Sequence, residues 1–204
     1  MTAESAEAGA GWQGALLTRR IAEAVDFAVR AHGTQVRKGT HIPYVSHLLG
    51  VAGLVFEGGG DEDQVIAGLL HDVLEDTPAT PAQIVTAFGQ RVADIVEACS
   101  DTQTKPKPPW FQRKQRYLDH LKDAPPDVLL VSLADKLHNA RALLLDLRTE
   151  GPHVFNRFNA GPGDTLWYYQ KLAAIFSARC PGPLAAELAR VVSDLHDEVS
   201  EANA

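Results

Sequence analysis

Within the apolar segment VIAGLLHDVLED, four ionisable side chains, His71, Asp72, Glu75 and Asp76, fall in six residues. Such groups are costly in a core unless a cation or a wet site compensates them. On a continuous helix turning about 100° per residue, His71 lies over Glu75 and Asp72 over Asp76, giving two adjoining polar stripes. One stripe is suited to a metal ion and the other to a water molecule. The plain alternative is that HDVLED straddles the wet side of an amphipathic helix. Asp135 argues against it, because it interrupts the apolar run VSLADKLHNARALLLDL, where a buried carboxylate needs a cation. His47 adds an imidazole from a third segment. His47, His71, Asp72 and Asp135 together make a mixed nitrogen and oxygen donor set, which suits manganese, iron or zinc better than calcium.

These donors need helices to position them. Leu16, Leu17, Ile21, Val25 and Val29 recur at three-to-four spacing and predict a first helix from Trp12 to about Ala31. A second helix starts near Ser46, carries His47, and ends at Gly58, Gly59 and Gly60. Asp61 or Asp63 can cap a third through VIAGLLHDVLED, which Pro78 closes. Thr80 to Gln83 form a capping box with Pro81 at the first helical position, opening a fourth helix to about Ser100. DTQTKPKPPW, with its three prolines, reads as a loop. Helices from about Phe111 to Lys122 and about Asp127 to Thr149 follow, the latter apolar enough to be central. GPHVFNRFNAGPG is a second loop, Asp164 can cap a helix through Phe176, and Pro183 to about Val199 form the last. No convincing strand or internal repeat is present, so the fold is expected to be all-α. Seven to ten helices would surround the metal site in one domain spanning 1–204, with loose ends at 1–11 and 200–204.

A chain of 204 residues with 45% apolar content can fill a sizeable core. The net charge of -7 argues against broad contact with a nucleic-acid backbone. No run approaches the roughly 18 apolar residues of a membrane span, so neither nucleic acid nor membrane is an expected partner. Cys99 and Cys180 form no close pair, which points to core thiols in a reducing cytosol. Lys105, Lys107, Arg113, Lys114 and Arg116 cluster beside Trp110 and Phe111. They form either a solvated face or an arm over a polyanionic ligand.

The segments AHGTQVRKGTHIPYVSH, GLLHDVLEDT and LADKLHNARAL resemble the HD-domain phosphohydrolases, in particular the hydrolase domain of the Rel/SpoT enzymes and the stand-alone small alarmone hydrolases. The resemblance spans roughly Ile21 to Ala178, with no synthetase-like segment after it. It implies that His47, His71, Asp72 and Asp135 hold one manganese ion, with iron or zinc as alternatives, and that Glu75 and Asp76 handle the attacking water. It implies a small-molecule nucleotide substrate, guanosine tetra- or pentaphosphate, whose 3′-diphosphate is removed as pyrophosphate. Arg37 and Lys38 match a basic pair beside the nucleotide. Asn139 matches a residue near the ribose and base, and Tyr168 an aromatic position near the base. Tyr44 matches another aromatic position, for which helix packing is the favoured role. His32, in AHG, is open between capping and a functional part, and His138, about 100° from Asn139 around its helix, is left out. KPKPPW and Ala142, where the long enzymes tend to have threonine, depart from the family pattern. The same machinery acting on another nucleotide, such as the 2′-phosphate of NADPH, and a non-catalytic nucleotide-binding protein are the competing expectations. Monomer and homodimer are both open.

Overall fold

The structure is a computed structural model that describes residues 18–100 and 106–202. Residues 1–11, Trp12 to Leu17 of the expected first helix, Lys105, and residues 203–204 lie outside the described residues. Among those described there is no strand, and one isolated bridge joins Val36 to Pro43. The helices are α1 (Arg19–His32), α2 (Val45–Glu57), α3 (Glu62–Leu70), α4 (Val73–Asp76), α5 (Pro81–Phe88), α6 (Gln90–Cys99), α7 (Trp110–Asp123), α8 (Pro126–Glu150), α9 (Pro162–Arg179) and α10 (Pro183–Glu201). A 3₁₀ helix, Gly151–Arg157, occupies part of the segment expected as loop. The all-α expectation therefore holds, and Ser200 and Glu201 belong to the last helix.

The central position of α8 follows from its long apolar runs, VLLVSLA and ALLL, which need neighbours on more than one side. Val128, Leu129, Val131, Leu133, Leu137 and Leu144 are buried along it, and it packs against α2, α3, α6, α9 and α10. Asp61, rather than Asp63, caps α3, accepting from the Gln64 amide at 3.1 Å while its own amide donates to Gln64 Oε1 at 2.9 Å. The Thr80 and Gln83 capping box forms as expected. Asp164 lies in the first turn of α9 and Gly161 is the cap. There the carboxylate still favours the positive helix end. Cys99 is buried, but Cys180 is only half-buried, and both thiols are free. No described helix is long and apolar enough to cross a membrane.

Two expected helices are broken. Gly89, at φ 93°, separates α5 from α6, a left-handed conformation that glycine adopts without strain. The more consequential break falls between α3 and α4. Asp72 sits at φ -101°, ψ -3°, outside the regular helical region. His71 Nδ1 approaches the Gly68 carbonyl at 2.8 Å, so the side chain takes an acceptor of the last helical turn. Neighbouring side chains on a regular helix point about 100° apart, so short ones do not face each other. The break lets His71 and Asp72 converge.

Candidate metal centre and adjoining cavity

Three helical segments deliver the donors: His47 from the first turn of α2, His71 and Asp72 from the α3–α4 break, and Asp135 from the middle of α8. One ligand atom from each of His47, His71 and Asp72 lies within 4.8 Å of the other two, a grouping that could hold a metal ion. His71 Nε2 is 2.9 Å from Asp72 Oδ2, and His47 Nε2 is 3.8 Å from it. Asp135 Oδ1 stands 3.2 Å from His47 Nε2 and 3.5 Å from His71 Nε2. Both imidazole Nε2 atoms are buried and make no geometrically sound hydrogen bond. Two buried ring nitrogens that lie close to two carboxylates without an aligned hydrogen bond to either fit a divalent cation of nitrogen and oxygen preference.

The charges around these donors are strongly coupled. Burial disfavours a charged His71, but Asp72 and Asp135 outweigh it and raise its pKa well above the usual value. Burial dominates at His47, lowering its pKa so that the ring is neutral. Asp72 and Asp135 are held below the usual carboxylate range despite burial, Asp72 chiefly by His71 and Asp135 by Lys136 and then His71. Lys136 pairs with Asp135 Oδ2, while Asn139 Nδ2 donates to Oδ1 at 2.6 Å.

A second layer of side chains aims the donors. The Tyr44 hydroxyl donates to Asp72 Oδ2, so Tyr44 belongs to the site rather than to packing alone. His138 Nδ1 lies 2.9 Å from His47 Nδ1. Burial, followed by His47 and Arg37, pushes His138 down to about 4, leaving a neutral ring at neutral pH. A neutral His138 can accept at Nδ1, which puts the His47 proton on Nδ1 and the lone pair on Nε2. Gly50 of α2 allows this approach, because a Cβ there would lie 2.3 Å from the His138 ring. His138 is three residues from Asp135, a spacing that shares a helix face, and that relation was the available signal.

Beside the donors lies a cavity of about 330 Å³. Arg37, Lys38, Lys114 and Lys136 line it with positive charge, and Trp110, Phe158, Tyr168 and Tyr169 line it with rings. Asn139 and Ala142 also reach it, and Arg37 Nη2 donates to Asn139 Oδ1 at 3.1 Å. Arg37, Lys38, Asn139 and Tyr168 thus share one wall system, joined by Lys114 from the cationic cluster, by Trp110 beside it, and by Lys136, which the sequence did not single out. Lys107 instead reaches the α4 carboxylates, with Nζ 2.6 Å from Glu75 Oε1 and 4.0 Å from Asp76 Oδ1. Arg113 is half-buried on α7 and does not line the cavity. Glu75 meets Lys107, Asp76 accepts from Gln35 in the turn after α1, and the Asp76 amide donates to the Asp72 carbonyl at 3.0 Å, so the helical turn from Asp72 to Asp76 is kept.

A family model for the HD domain matches residues 24–165. The chain is 42% identical over 126 residues, 60% of its own length and 69% of the relative's, to the Xenopus tropicalis protein named guanosine-3′,5′-bis(diphosphate) 3′-pyrophosphohydrolase MESH1. The Homo sapiens protein of that name is 39% identical over 127 residues, 61% of this chain and 69% of the relative. Among solved structures, Listeria monocytogenes lmo0812 superposes with a TM-score of 0.65 at 32% identity, covering 72% of this chain and 96% of the other. A structure described as a metazoan ortholog of SpoT that hydrolyzes ppGpp superposes with a TM-score of 0.70 at 25% identity, covering 85% and 94%.

Proposed function

Because this chain belongs to the HD-domain family, we propose that it is a metal-dependent guanosine 3′,5′-bis(diphosphate) 3′-pyrophosphohydrolase. His47, His71, Asp72 and Asp135 hold one manganese ion in this reading. The observation that carries it is the pair of buried, unsatisfied Nε2 atoms opposite two carboxylates, set beside a cavity with a cationic and an aromatic side. The relatives named for this activity support the choice of substrate.

A divalent cation held there supplies Lewis acidity and lowers the pKa of nearby water. Water adds to the phosphorus bonded to O3′, the O3′–P bond breaks, pyrophosphate leaves, and the 3′-hydroxyl regains a proton. Glu75 and Asp76 take and relay the proton of the attacking water. Arg37, Lys38, Lys114 and Lys136 balance the charge of the phosphates, and Tyr168 with Trp110 offers faces on which a nucleobase stacks. The acidic net charge is no obstacle, since the field at the cavity is set by these local cations. Two free thiols support a reducing, cytoplasmic setting.

The test is anion-exchange analysis of manganese-loaded protein with ppGpp, with NADPH in parallel and Asp72→Ala as control. The expected outcome is manganese-dependent GDP and pyrophosphate, absent in the variant. Phosphate released from NADPH alone would move the assignment to another nucleotide, and turnover of neither would remove it.

A further inference from the structure

Outside the donors and the cavity, α1 and the turn after it present a hydrogen-bond chain that ends on one of the α4 carboxylates. His32, the last residue of α1, is buried. Its Nδ1 lies 2.8 Å from Gln35 Oε1, and Gln35 Nε2 donates to Asp76 Oδ2 at 3.1 Å. Gln35 is fixed by its backbone as well. Its amide donates to the His32 carbonyl at 3.0 Å, and its carbonyl accepts from the Tyr44 amide at 2.9 Å. The His32 ring also stacks on Tyr44, with centroids 5.0 Å apart and planes at 26°.

The direction of every proton in the chain follows from its end. Asp76 Oδ2 accepts from Gln35 Nε2, which leaves the Gln35 amide oxygen turned to His32. An amide oxygen only accepts, so His32 must carry its proton on Nδ1. The other ring nitrogen of His32, Nε2, is buried without a hydrogen-bond partner among the described residues.

We propose that His32 and Gln35 are positioning residues that hold the Asp76 carboxylate in one orientation. The inference rests on the assignment of Asp76 to the water-handling pair. His32 selects which end of the Gln35 amide faces the site, and Gln35 fixes the carboxylate in turn. Without His32, the amide is free to rotate and present its oxygen to Asp76, where two acceptors repel. Without Gln35, Asp76 keeps its charge but loses its fixed direction, which affects proton transfer rather than nucleotide binding.

Two measurements on the full chain decide this. The first needs no turnover: imidazole nitrogen NMR of the metal-loaded wild type should show His32 as the Nδ1–H tautomer, and Gln35→Met should shift it towards Nε2–H. A wild-type Nε2–H tautomer overturns the chain. The second is kinetic, with ppGpp as substrate. Gln35→Met should lower kcat by roughly tenfold, with KM, metal content and melting temperature unchanged. His32→Phe keeps the stack on Tyr44, removes both ring nitrogens, and should lower kcat to a similar degree without loss of stability. The double variant should be no slower than Gln35→Met, because the two residues act through one path. Effects that multiply, or that fall on KM, overturn the proposal. If the wild type turns over no ppGpp, the functional assignment fails by itself, and the tautomer still decides the hydrogen-bond chain.

Discussion

Replacing Gly50 by alanine tests whether the approach of α2 to α8 exists to support His47. A Cβ at this position would lie 2.3 Å from both Cδ2 and Nε2 of His138, against an ordinary contact of 3.4–4 Å, so the ring must retreat by about 1 Å. That retreat breaks the 2.9 Å contact between the two Nδ1 atoms. Two stability effects oppose each other. Alanine in a helix interior is favoured over glycine by about 1 kcal/mol, while overpacking costs about 1–3 kcal/mol. The net change in metal-free stability is therefore about 0–2 kcal/mol of destabilisation, readable by urea unfolding. Metal affinity should fall far more, because loss of a partner that orients a ligating histidine costs about 10- to 100-fold. The assay is a metal-buffered manganese titration of wild type, Gly50→Ala, His138→Ala and the double variant. The single variants should weaken binding to a similar extent, and the double variant should add little, since both act on one ring. Affinity within about twofold of wild type for Gly50→Ala would refute the idea that His138 orients His47.

Lys136→Met should destabilise the metal-free protein by about 1–3 kcal/mol in urea unfolding, because the buried Asp135 carboxylate then keeps only His71 as a charged partner. A loss below about 1 kcal/mol would mean that Asn139 and the two histidines satisfy Asp135 without Lys136. Chelator should lower the melting temperature, and manganese at a hundredfold excess over its Kd should restore about 2.7 kcal/mol. Asp72→Ala should abolish that restoration, and a melting temperature indifferent to metal would remove the ligand assignment.

Legibility in the sequence followed the range of the interaction. Helix starts at Asp61 and Thr80 were readable because capping is settled within four residues. The central place of α8 was readable because its apolar runs are long. The break at His71 and Asp72 was not, since propensity and periodicity both favour a continuous helix there, and a tertiary need for two adjacent side chains to converge overrides them. Tyr44 looked like a packing residue because its hydroxyl partner lies 28 positions away.

By itself the sequence determined the chemical types present: two imidazoles and two carboxylates set in apolar helices, a His-Asp and a Glu-Asp pair, and cations able to meet phosphate. These are covalent facts, and apolar surroundings make each of them costly to keep without a purpose. Only the tertiary structure decided which atoms face one another. It turned the His47 ring through His138, directed Lys107 to Glu75 instead of the cavity, and joined His32 to Asp76 through Gln35. Side-chain direction and tautomer are set by partners distant in sequence, and no local pattern encodes them.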